Sequence, residues 1–87
     1  MSTTVSPEPL GLLSVTARSA GANRYADLEW TGGSTANVDI YRNTTKVATT
    51  LNDGVYTDTA PKKTSSATYQ VCEAGTNVCS NSVTATW

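Results

Sequence analysis

From Leu10 onward the sequence is a succession of short runs in which apolar and polar residues alternate, each run closed by a cluster of turn-forming residues. A side-chain period of two belongs to a β-strand with one buried face, and it conflicts with the roughly 3.6-residue period of an amphipathic helix. The run "YADLEWT" (25–31) sets Ala26, Leu28 and Trp30 on one face and Tyr25, Asp27, Glu29 and Thr31 on the other. "NVDIYR" (37–42) turns Val38 and Ile40 inward and Asp39 and Tyr41 outward. "LLSVTAR" (12–18) places Leu13, Val15 and Ala17 together. "KVATTL" (46–51), "VYTD" (55–58), "ATYQVCEA" (67–74) and "VCSNSVTATW" (78–87) complete the series. The connections are "SAGAN" (19–23), "GGST" (32–35), "NTT" (43–45), "NDG" (52–54) and the longer "TAPKKTSS" (59–66). Among these, Asn52-Asp53-Gly54 carries the dipeptide expected of a tight hairpin. Short strands with a turn about every ten residues predict an all-β, antiparallel β-sandwich.

The chain has 87 residues, 38% of them hydrophobic and none of them Phe. That supplies one core between two layers, without room for a buried active-site cavity as well. Residues 1–9, "MSTTVSPEP", read as a linker or lead-in, with Met1 set like a start inside it, and 10–87 as a single domain. No secretory signal follows Met1, so secretion would require a signal that was removed or that belongs to a larger parent. Six basic residues balance seven acidic ones for a net charge of −1. No basic stripe suits nucleic acid, and no apolar run is long enough to cross a membrane as a helix. Abundant Ser and Thr with few Lys and Glu hint at an extracellular β-domain.

The only cysteines, Cys72 and Cys79, flank Ala74-Gly75-Thr76-Asn77. A thioredoxin-like site needs its cysteines closer together, and a zinc site needs ligands the chain lacks, since it has no His. If Gly75-Thr76 forms a two-residue loop, the cysteines face each other on paired strands and can form a disulfide. Two free thiols are the alternative. A disulfide implies an oxidising, extracellular location. This pairing would put Val83 on the face opposite Tyr69 and Val71, although Val83, Ala85 and Trp87 look core-facing. A β-bulge near Ser80-Asn81 would restore the parity.

No catalytic, cofactor-binding or metal-binding residue emerges. Asp27 and Glu29 alternate with core residues and so belong to a solvated face. A nucleophile paired with histidine is impossible. Asn52-Asp53-Gly54 with Asp58 is thin material for calcium. Asn43-Thr44-Thr45 matches a glycosylation sequon, of consequence only in a eukaryotic host. Tyr25 and Tyr41 both point outward and raise the question of a sugar platform, and Trp87 either frays into solvent or caps the core.

Trp30, "VDIYRN" (38–43), "YTD" (56–58), "YQVCEAG" (69–75) and "CSNSVTATW" (79–87) occur in an order and spacing that resembles a fibronectin type III domain, in the compact form appended to secreted bacterial hydrolases. The resemblance spans 10–87 and implies an immunoglobulin-like sandwich of seven strands, three facing four. It makes Trp30 the core tryptophan and Tyr69 the corner tyrosine, its hydroxyl bonded to backbone in the loop before its own strand. It assigns the second and third strands to different sheets, which separates Tyr25 from Tyr41. Many such domains lack a pair like Cys72 and Cys79, and no Arg-Gly-Asp triplet is present. The expected role is a non-enzymatic accessory or spacer module, the C-terminal domain of a secreted bacterial enzyme. It would orient or stabilise a covalently linked catalytic domain without any cofactor. The alternatives are a module that binds polysaccharide or a cell surface weakly, and a phage or adhesin surface domain.

Overall fold

The structure is a computed structural model that describes residues 10–87. The expected lead-in, 1–9, and the side chain of Leu13 lie outside the described residues. The fold is all-β, with no helix among the described residues. In chain order the strands are β1 (Gly11–Ala20), β2 (Asn23–Thr31), β3 (Asn37–Arg42), β4 (Thr45–Leu51), β5 (Val55–Ala60), β6 (Ser66–Glu73) and β7 (Val83–Thr86). They form two antiparallel sheets, ordered β1-β2-β5 and β4-β3-β6-β7. Ala26, Leu28 and Trp30 of β2 meet Val38 and Ile40 of β3, Tyr69 and Val71 of β6 and Ala85 of β7 in one core.

The alternation in β2 and β3 follows from burial of one face, and the hairpins follow from local turn chemistry. Gly21-Ala22 joins β1 to β2, with Gly21 at φ 63°. Asn43-Thr44 joins β3 to β4, with φ 51° and 69°. Positive φ at both central positions, as at Asn43-Thr44, is the requirement of a two-residue type I′ hairpin, whereas positive φ at the first position alone, on a glycine, as at Gly21-Ala22, fits type II′.

Two features depart from the expected pattern. Asn52-Asp53-Gly54 does not close a hairpin. It carries the chain from β4, in one sheet, to β5, in the other. Gly54 turns this corner at φ 87°, where an added Cβ would stand 3.2 Å from the carbonyl oxygen of Trp30. β1 also breaks its simple alternation. Its register against β2 shifts between Leu12 and Ser14, so Leu12 joins the core while Val15 and Ala17 still pack against it. One extra residue resets strand parity, which is the geometric effect of a β-bulge.

The parity conflict at the last strand resolves in the same way. Cys72 opposes Cys79 and Tyr69 opposes Val83, so three steps along β6 match four along the returning chain. The extra residue falls within 80–82. Val83 thereby shares the face of Tyr69, and regular pairing in β7 is confined to Val83–Thr86.

Candidate functional site: polar side chains between the sheets and the cysteine hairpin

Trp30 packs in the core at 3% exposure, and its Nε1 donates to Oδ1 of Asn52 at 2.8 Å. The Asn52 amide in turn donates to the carbonyls of Gly32 at 3.1 Å and Thr35 at 3.2 Å. One turn asparagine therefore fixes the core indole and the neighbouring 32–36 loop together. In sequence it is indistinguishable from any other polar turn residue.

Tyr69 is fully buried, and its hydroxyl corrects the corner assignment. It donates to Oδ2 of Asp58 at 2.7 Å rather than to loop backbone. The same oxygen accepts from Nη1 of Arg42 at 2.7 Å. Asp58 lies on β5 and the two donors lie on β3 and β6, so this cluster joins the sheets through the core. Arg42 continues the inward series Val38 and Ile40, and Asp58 sits between inward Tyr56 and buried Ala60. Burial, and then the hydrogen bond to Asp58, push the Tyr69 hydroxyl well above its ordinary pKa. Burial works against the Arg42 charge, but the hydrogen bond and charge of Asp58 outweigh it and hold the guanidinium's pKa above its usual value.

Asp39 points outward as its parity requires, yet it is buried. It opposes Cys72 in register, accepts from Oγ1 of Thr49 at 2.7 Å, and accepts from the Gly75 amide at 3.3 Å. Cross-strand neighbours on the outer face cover it, which sequence alternation alone does not reveal. Glu73 is held by the Ser34 hydroxyl at 2.7 Å and the Ser34 amide at 3.0 Å, and these bonds lower its pKa.

Cys72 and Cys79 form a disulfide, and no free cysteine remains. The Glu73 amide donates to the Val78 carbonyl at 2.8 Å and the Ser80 amide to that of Val71 at 2.7 Å. The cysteines thus occupy the intervening non-hydrogen-bonded pair, where antiparallel backbones approach most closely. The loop is wider than the expected Gly75-Thr76 pair. Its turn is closed by the Thr76 amide on the Glu73 carbonyl at 3.0 Å, with Gly75 at φ 73°. Beyond Cys79, the buried Ser80 hydroxyl accepts from the Val71 amide at 3.0 Å. Asn81 uses both ends of its amide on Leu12, accepting from N at 2.9 Å and donating to O at 3.2 Å. It thereby ties the bulge of β1 to the edge of the other sheet. Nothing in the sequence distinguishes it from a surface asparagine.

The aromatic residues considered for sugar binding are separated. Tyr25 lies on β2 and Tyr41 on β3, outward on different sheets. The Arg18 guanidinium sits 5.1 Å from the Tyr25 ring centroid and also binds Asp27, with Nη2 to Oδ1 at 3.0 Å. Hydrogen bonds from Arg18 and then Thr57 lower the Asp27 pKa. Glu29, the other outward carboxylate of β2, accepts from Ser14 at 3.1 Å. Trp87 packs against the core, and its Nε1 reaches the carbonyls of Arg18 at 2.9 Å and Tyr25 at 3.0 Å. Asp53 accepts from the Val55 amide at 3.3 Å and stands apart from Asp58, which is engaged in the core. Among the described residues, no buried side-chain nitrogen or oxygen lacks a hydrogen-bond partner. No family model, curated protein or solved structure matches the chain.

Proposed function

We propose that this chain is a non-catalytic accessory module of the fibronectin type III kind, which spaces and orients the parts of a larger secreted protein. The observation that carries this reading is the commitment of its polar side chains to the fold itself. Arg42, Asp58 and Tyr69 link the sheets; Asn52 holds Trp30; Asn81 holds Leu12; and Trp87 closes on β1 and β2. Catalytic groups are instead strained, or aimed at where a substrate will bind. The strand orders β1-β2-β5 and β4-β3-β6-β7 support the finer topology of seven strands in fibronectin type III order. The disulfide supports an extracellular location. A secreted bacterial hydrolase is the parent that the sequence resemblance favours.

The competing reading is a polysaccharide-binding module. The separation of Tyr25 from Tyr41, and the packing of Trp87, favour the spacer. Incubating the isolated chain with insoluble chitin, cellulose and starch tests the choice. The chain should stay in the supernatant with all three. Saturable retention on any of them overturns the spacer reading.

A further inference from the structure

We propose that Cys79 is a thiol-exchange site, attacked by small-molecule thiolates at its Sγ while Cys72 serves as the leaving and resolving thiol. The two sulfurs of this disulfide stand in different surroundings. Cys79 is exposed and lies past the turn, outside regular strand pairing. Cys72 is 3% exposed, lies within β6, and opposes the buried Asp39 carboxylate. Exchange at sulfur needs an in-line approach of the incoming thiolate, so access selects the sulfur attacked. The incoming thiolate forms a bond to Sγ of Cys79, the bond to Cys72 breaks, and its electron pair leaves on the Cys72 sulfur, which then takes a proton from water.

The structure also favours reversal. The hairpin does not depend on the disulfide alone for its shape. Glu73 to Val78, Thr76 to Glu73, Ser80 to Val71 and Gly75 to Asp39 are all hydrogen-bonded. Cys72 therefore stays within reach of Cys79 after the bond opens and can expel the small thiol again. The result is a mixed disulfide confined to one sulfur of a folded domain.

The test treats the full chain with graded reduced and oxidised glutathione, quenches by alkylation, and maps the adduct by peptide mass spectrometry. Glutathione should be found on Cys79 with Cys72 alkylated, and amide exchange in β3 and the body of β6 should be unchanged. Single-cysteine variants give an independent reading. In Cys72→Ser the remaining Cys79 should react with oxidised glutathione at least ~10-fold faster than Cys72 does in Cys79→Ser. Glutathione found mainly on Cys72, equal rates in the two variants, or adducts forming only in denaturant would each overturn the proposal.

Discussion

Tyr69 and Tyr41 stand on adjacent strands one register step apart, and their positions predict unequal responses to the same substitution. Tyr69→Phe removes a buried donor to Asp58 and should cost about 1–3 kcal/mol in denaturant melts. Tyr41→Phe, on the outer face, should stay within about 0.5 kcal/mol of the parent. A larger effect at Tyr41 would mean the strand faces are reversed. Tyr69 also predicts an alkaline limb. Its raised pKa means the folded chain keeps this proton where the unfolded chain, with a pKa of about 10, loses it. That contribution is fully present below the unfolded pKa and disappears as pH rises through the folded value. Stability should therefore fall above about pH 10, with a shallower fall in Tyr69→Phe; identical slopes would contradict the assignment. The inward side of Tyr69 follows from strand parity, but its partner does not. Asp58 carried the one available signal, a carboxylate at the same parity as Tyr56 and Ala60. Asn52 and Asn81 carried none, because their roles depend on chain segments brought together only in the folded sheets.

The hairpin between β3 and β4 places Thr44, a β-branched residue, at φ 69°. Asn tolerates this left-handed region and Thr does not, whereas Gly adopts it without penalty. Thr44→Gly should raise stability by about 0.5–1 kcal/mol, relief of strain exceeding the added freedom of the unfolded chain. An unchanged or lower denaturant midpoint would show that the turn is not strained. Individual strands are legible because burial of one face imposes a period of two, and β2 and β3 occupy the residues that this period picks out. The fate of Asn52-Asp53-Gly54 is not legible in the same way. A turn signal is local, but whether the next strand pairs back or crosses to the other sheet depends on non-local pairing, here of β5 with β2. The bulge in β1 escaped for a related reason: its extra residue makes sense only against the register of β2. The bulge before β7 could be inferred because the disulfide fixed one register while the apolar series 83, 85, 87 fixed another.

Across the whole molecule, Leu10, just before β1, lies beside Gly33 and Asn52, at the end of the sandwich that carries the 32–36 and 52–54 loops. There the Asn52 amide reaches Ala36 at 2.9 Å, that of Ala74 reaches Asn37 at 3.2 Å, and Ser34 holds Glu73. Trp87 lies toward the other end, against Arg18 and Tyr25, beside the Gly21-Ala22 turn. The sandwich thus separates its first strand's start from its last strand's end along the strand direction, with cross-sheet links holding the two sheets together between them. A spacer requires this separation to be fixed. Pulsed electron resonance between spin labels at positions 11 and 86, introduced as non-natural residues so that the disulfide is untouched, measures it directly. About seven strand steps separate the two sites, so the backbone spacing should be about 25 Å, seen as one narrow distance distribution that broadens only on denaturation. A broad or two-peaked distribution under native conditions would contradict the account of this chain as a rigid spacer.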